Sequence, residues 1–358
     1  MAGPLAVSSA TMSAPSVPIR LPANQPAQFY RGGAAIAALR SASSGATVRA
    51  EEFGPEDWVA STTTLFGREP EGLTRLPDGR WLREAVEADP LGWLGRDHVE
   101  RFGSSTALLV KLLDAGQRLP VHFHPDDEFA RRHFDSHFGK TEAWIVVGTR
   151  GENPTVYAGF RESLDARTIA DWVADQDAPT MLGALNAVAV EAGDTVHIPA
   201  GLPHAIGEGV FVVELQQPTD FSLTLEWRDF LGEESKGHLG LGFDTALKAL
   251  DTSAWDEQRL SGLIRRTAGK GTATVDLLAP DSRPFFRADR LRPTAPLALD
   301  PSFAVLVVSE GRGRLTAESG DVHEVSTGDT WVVPHAAGEF QLDGDVTVIR
   351  CRPPAPRP

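Results

Sequence analysis

Two separated stretches of this chain carry residues that could hold a metal ion. The first reads Pro120-Val121-His122-Phe123-His124-Pro125-Asp126-Asp127. Side chains two apart on an extended strand face the same side, so His122 and His124 can converge on one point. The second runs from Gly193 through Pro199-Ala200-Gly201 to His204 and matches the spacing G-x5-P-x-G-x2-H in full. Glu142, in Gly139-Lys140-Thr141-Glu142-Ala143-Trp144, stands at the head of the next apolar run and offers a carboxylate. Three imidazoles and one carboxylate suit Zn²⁺, Fe²⁺, Mn²⁺, Co²⁺ or Ni²⁺. An H-x-H alone is a common incidental pair; the second stretch completes a ligand set for one ion. With a single cysteine, Cys351, neither a thiolate cluster nor an intramolecular disulfide can form. His197 lies in the same second stretch and reads as a packing or hydrogen-bonding residue. His133, His137, His238 and His335 have no comparable context.

Positioning these groups requires strands, and the pattern supplies them. From about residue 29 the chain breaks into short apolar runs bounded by Gly, Pro and Asp, such as 106–113 (TALLVKLL), 142–148 (EAWIVVG), 210–215 (VFVVEL) and 303–308 (FAVLVV). Val-rich runs of this length read as strands of a sandwich or barrel. Helical spacing appears at 164–174 and 243–250. The stretch Gly193-Asp194-Thr195-Val196-His197-Ile198-Pro199 is echoed at Gly328-Asp329-Thr330-Trp331-Val332-Val333-Pro334, in both cases a Gly-Asp turn opening a strand that a proline closes. Such an echo implies a duplicated β-barrel. The expected fold is mainly β: a flexible tail over 1–28, a metal-binding barrel over 29–230, a helical connection over 231–268 and a second barrel over 269–358. The second barrel has no H-x-H, so it is expected to bind no metal and to serve as a packing or dimerisation partner.

The bulk composition narrows the partners. The chain has 358 residues, enough for two domains, with 41% apolar and 23% charged residues. A formal charge of −15 argues against nucleic acid or an anionic membrane as partner, since those need a basic face. The Ala-, Ser- and Pro-rich beginning lacks the basic start and apolar core of a signal peptide, and no run approaches a membrane span. The expectation is a cytoplasmic protein, monomer or homodimer, acting on a small molecule.

The two metal-ligand stretches together resemble the cupin pattern, and the order of motifs resembles the class I mannose-6-phosphate isomerases. That order is Leu108-Leu109-Val110-Lys111-Leu112-Leu113-Asp114-Ala115, His124-Pro125-Asp126-Asp127, Gly139-Lys140-Thr141-Glu142-Ala143-Trp144, Ile198-Pro199-Ala200-Gly201-Leu202-Pro203-His204-Ala205-Ile206-Gly207 and Glu214-Leu215-Gln216-Gln217. The match is close over about 100–220 and looser elsewhere; 334–340 also looks like the family's second barrel. The resemblance implies two jelly-roll-like cupin barrels and a zinc-assisted aldose–ketose interconversion, with mannose 6-phosphate and fructose 6-phosphate as substrates. It implies metal ligands His122, His124, Glu142 and His204, catalytic positions Lys140 and Glu214, and substrate contacts at Lys111 and Thr224. Three departures stand out. His122 replaces the family's glutamine ligand. Pro120 replaces a serine near the substrate phosphate. Thr224 occupies the position of the family's arginine, on the polar side of a strand in which Phe221, Leu223, Leu225 and Trp227 alternate with Ser222, Thr224 and Glu226. Arg228 shares that parity but lies about 13 Å further along, at ~3.3 Å per residue.

Isomerisation moves a proton between C1 and C2 through a cis-enediol, which needs a base and a group to stabilise the developing oxyanion. Glu214 is the first candidate for the base, with a structural hydrogen-bond role as its counterpart. Lys140 could stabilise charge near the metal, or simply pair with Glu142 or Asp126. The loss of two phosphate-suited groups leaves two further functions open: an isomerase or epimerase of an unphosphorylated sugar, and a noncatalytic sugar-binding cupin.

Overall fold

The computed structural model describes residues 13–43, 52–267 and 271–356. The Val- and Leu-rich runs form antiparallel strands arranged in three sheets, so the protein is mainly β. A six-stranded sheet runs in the order Ile264–Arg266, Asp194–Ile198, Glu142–Thr149, Val210–Gln216, Leu109–Asp114, Glu56–Val59. A five-stranded sheet runs Leu223–Thr224, His122–Phe123, His204–Ile206, Thr155–Phe160, Leu185–Ala189. An eight-stranded sheet is built mainly from the C-terminal part, with the long strands Ala304–Ala317 and Phe340–Arg352 as its centre.

Alternation explains how the six-stranded sheet serves two purposes. Val110, Leu112, Ala143, Ile145, Val213 and Leu215 point to one face and pack with Val305, Val307, Val332, Ile349 and Cys351 of the eight-stranded sheet. Their neighbours in sequence face the other way, and these include Lys111, Glu142, Trp144 and Glu214. Register aligns Trp58 with Lys111, Lys111 with Glu214, and Glu214 with Trp144, so one row of side chains crosses four strands. Both faces are buried, which is why these strands read as continuous apolar runs with an isolated Lys or Glu inside.

The two echoing turns are built alike. Gly193 (φ 98°) and Gly328 (φ 86°) adopt the left-handed conformation that glycine tolerates best. Asp194 accepts a hydrogen bond from Glu191 N at 2.9 Å, and Asp329 accepts one from Ser326 N at 2.8 Å. Helices form at Ala166–Asp175, capped by Asp165, and at Phe243–Ala246 continued by a 3₁₀ turn over Leu247–Ala249, where the spacing predicts them. The stretch 228–263 is mostly short helices.

Part of the expected tail is structured. Ile19–Arg20 pairs with Val332 and Trp331 at the edge of the eight-stranded sheet, and Leu21 N donates to Thr330 O at 2.8 Å. A two-residue strand lacks enough length to show a period, so tertiary pairing alone reveals it. The first part of that tail, 1–12, and the boundary expected near 269 lie outside the described residues. Among the described residues no helix is long and apolar enough to cross a membrane.

Candidate metal centre and active site

His122 and His204 are paired across adjacent strands of the five-stranded sheet, and His124 follows one residue beyond the first strand. All three are buried, and their ligand-type nitrogens lie within 4.8 Å of one another. Each Nδ1 faces a backbone carbonyl: His122 to Pro120 O at 2.9 Å, His124 to Phe221 O at 2.9 Å, His204 to Leu202 O at 2.7 Å. A carbonyl only accepts, so each Nδ1 carries the proton and each Nε2 presents a lone pair inward. His204 Nε2 is buried without a hydrogen-bond partner. Glu142 closes the group from the six-stranded sheet, with Oε1 3.0 Å from His124 Nε2 and Oε2 3.8 Å from His204 Nε2.

This donor set fits a divalent cation of the zinc type. Burial, reinforced by the Lys140 charge at His124 and by His124 at His204, pushes both imidazoles down to about 3. Burial does the same to His122, which lies well below the ordinary value. All three therefore stay neutral, as ligation requires. Burial works against ionisation of Glu142, but the Lys140 ammonium 3.1 Å away holds the carboxyl well below the usual range. Four donors would remain aimed at one point without protons in the way.

A cavity of about 750 Å³ opens beside the cluster. Lys140 Nζ lies 3.1 Å from Glu142 Oε1, 3.0 Å from Ser222 Oγ and 3.5 Å from His124 Nε2, so the pairing with Glu142 is realised at the edge of the histidine cluster itself. Glu214 accepts from Trp144 Nε1 at 3.0 Å and lies 3.5 Å from Lys111 Nζ. Burial, then the Glu142 charge, raises Glu214 to about 8 despite Lys111. A carboxyl with that proton affinity can accept and return a proton near neutrality. Trp144 Nε1 also lies 3.2 Å from Glu142 Oε2, so one indole ties the ligand carboxylate to the candidate base.

The sequence-predicted residues are thus brought together: His122, Glu142, Lys140, Lys111, Glu214 and Thr224 all line the cavity, with His124 and His204 directly behind. Thr224 pairs with His122, and its parity is as expected, with Leu223 and Leu225 packed on the far side. Arg228 does not extend that parity. The chain turns into a helix at Arg228–Leu231, and the guanidinium bonds Asp175 O at 3.1 Å, away from the cavity. His197 lies outside the cluster, with Nδ1 3.2 Å from Glu142 O and 2.9 Å from Ser282 Oγ. Missed by sequence reasoning were Glu56, Tyr30 and Asp220, which also line the cavity. Glu56 and Asp220 belong to no recognisable motif, and only the isolated charge in an otherwise apolar strand could have drawn notice to the first.

No family model matches the chain. Among curated proteins, a mannose-6-phosphate isomerase of Streptococcus mutans is 27% identical over 315 residues, covering 84% of this chain and 91% of the relative. Mannose-6-phosphate isomerase ManA of Bacillus subtilis is 28% identical over 246 residues, covering 68% and 73% respectively. Among solved structures, a Bacillus subtilis mannose 6-phosphate isomerase superposes with TM-score 0.68 at 23% identity, over 94% of this chain and 99% of its own. A phosphomannose isomerase variant from Salmonella typhimurium gives TM-score 0.70 at 16% identity, over 95% and 100%. The chain is thus similar over most of its length, in sequence and in fold, to proteins named mannose-6-phosphate isomerase.

Proposed function

We propose that this protein is a divalent-metal-dependent aldose–ketose isomerase, interconverting mannose 6-phosphate and fructose 6-phosphate with zinc as the metal. One observation carries the reading: three buried, neutral histidines and Glu142 cluster beside a cavity, which His122 and Glu142 line and whose next wall holds a carboxylate of raised proton affinity, Glu214. The relatives named for this activity support it.

His122, His124, His204 and Glu142 would hold the cation, which supplies Lewis-acid stabilisation of negative charge on the sugar oxygens. Glu214 removes the C2 proton of the aldose; the freed electron pair forms the C1–C2 double bond while the carbonyl pair moves to O1, which is protonated as O2 gives up its hydroxyl proton. Glu214, whose proton can exchange with solvent, then delivers a proton to C1 as the electron pair on O2 closes the carbonyl at C2. Lys140, held by Glu142 and Ser222, places an ammonium where it stabilises charge on the reacting oxygens. Tyr30, Leu65, Leu113, Leu119 and Ile206 wall the cavity and limit water at the enediol.

A second reading, an isomerase of an unphosphorylated sugar, is favoured by the charges around the cavity. Thr224 and Pro120 bring no cation, and Arg228 is turned away. Lys111 and Lys140 are engaged by Glu56, Glu214 and Glu142, while Arg68 and Lys236 have Glu71 and Glu233 as partners. The test is exchange of the sugar C2 proton with deuterated water, run on mannose 6-phosphate and on free mannose with metal-loaded protein. Exchange on the phosphate supports the first reading and exchange on mannose alone the second. Binding of either sugar without exchange defeats both and leaves a sugar-binding protein.

A further inference from the structure

One buried carboxylate in the cavity wall has no place in the chemistry above. Glu56 begins the strand Glu56–Val59, on the same face as Trp58 and next to the row that runs through Lys111 and Glu214. Its Oε1 accepts from Tyr30 Oη at 2.5 Å. Its Oε2 accepts from Trp58 Nε1 at 2.6 Å and from Gln28 Nε2 at 2.9 Å, and lies 3.4 Å from Lys111 Nζ. Three donors thus converge on Oε2, while Tyr30 takes one of the two lone pairs of Oε1. Glu56 therefore meets more donors than Glu214 does. Glu214 has one hydrogen bond, from Trp144, and shares Lys111 at 3.5 Å. Lys111 stands between two carboxylates, its ammonium also 4.7 Å over the Trp58 ring.

We infer that Glu56 is a positioning residue: its donor-bound carboxylate anchors the Lys111 ammonium, and so sets where Glu214 stands relative to the substrate. The inference rests on the isomerase reading above. Without the Glu56 charge, the buried ammonium has Glu214 as its remaining carboxylate partner and closes on it, drawing the base out of line and occupying its free oxygen. Chemistry then suffers while the sugar-binding walls are intact.

The measurement is steady-state isomerisation by metal-loaded Glu56→Gln, together with metal content and C2 proton exchange. The expected result is a kcat lowered roughly tenfold or more, KM within about threefold of the parent, and one metal per chain retained. Glu56→Asp, which keeps the charge, should lie closer to the parent than Gln does. In a Lys111→Met background, Glu56→Gln should cost nothing further, because the two act as one unit. This comparison also serves if the single Gln variant fails to fold, since the double variant removes both ends of the buried pair. An unchanged kcat in Glu56→Gln, an Asp variant no better than Gln, or an additional tenfold loss in the Lys111→Met background overturns the inference. Parent protein that exchanges the proton normally while Glu56→Gln does too sinks only this inference. Parent protein that never exchanges it sinks the isomerase reading and this one together.

Discussion

Replacing Glu214 by Gln tests the chemistry most directly. The side chain keeps its size, and its amide oxygen can still accept from Trp144 Nε1, now 3.0 Å from Glu214 Oε1. The base is lost. A positioned acid–base group contributes roughly 10²–10⁴-fold, so kcat should fall by that factor with metal content and fold unchanged. The pH profile gives a second handle. Burial and the neighbouring Glu142 charge hold Glu214 at about 8 in the metal-free protein. Because this value is raised, the ionised base prevails above it and is lost as pH falls through it; at pH 7 about a tenth is ionised. A divalent cation among the histidines favours the anion and moves that transition to lower pH. The loaded parent should therefore show a kcat that falls on the acid side, with a midpoint below about 8, and Glu214→Gln should lack that limb. The assay is initial rates of aldose–ketose conversion from about pH 5 to 9, with elemental analysis at each end. Turnover within tenfold of the parent, or an acid limb that persists unchanged in the variant, would refute the assignment and move the base elsewhere, first to Lys140.

Two other predictions address the ion and the substrate. Purified protein should hold about one divalent metal per chain, and His124→Ala with His204→Ala should abolish it; elemental analysis that finds undiminished metal in the double variant contradicts the proposed ligand set. Thr224→Arg should place a guanidinium on the cavity wall next to His122. Charge-assisted bonds to a phosphate contribute about 1.5–3 kcal/mol, so the ratio of kcat/KM on mannose 6-phosphate to that on mannose should rise roughly 10- to 150-fold. A parent already efficient on the phosphate, with the variant worse, removes Thr224 as a marker of changed specificity.

The three-histidine cluster was legible because its information is local. His122 and His124 share a strand face through a period of two, and the spacing from Gly193 to His204 encodes a strand, a turn and the next strand. Both signals survive without knowledge of what the strands pair with. The same holds for Thr224, whose side of the strand follows from its neighbours, and for the helices at Ala166–Asp175 and Phe243–Ala246. Arg228 shows where local reasoning ends. Extending the strand's parity put it on the cavity side, but the backbone turned helical at that residue and carried it outward.

What tertiary structure alone decided is which charged residues share a wall. Tyr30, Glu56, Lys111, Trp144 and Glu214 span 185 positions of sequence, yet strand register brings them within hydrogen-bonding or ion-pair reach in succession. No periodicity links them, because register between distant strands is set by burial of both faces and by the turns that join them. The pairing of Ile19–Arg20 with the strand Thr330–Val333 has the same origin. Proton affinity follows from that placement too. Glu56 and Glu214 are the same residue type flanking one lysine. Donors from Tyr30 and Trp58, with Lys111, overcome the burial of Glu56 and lower its pKa, whereas burial and Glu142 raise that of Glu214. The sequence by itself singled out three histidines that could hold a metal; only the folded arrangement set the two buried carboxylates apart, since that difference lies in the donors and charges each meets when water is excluded.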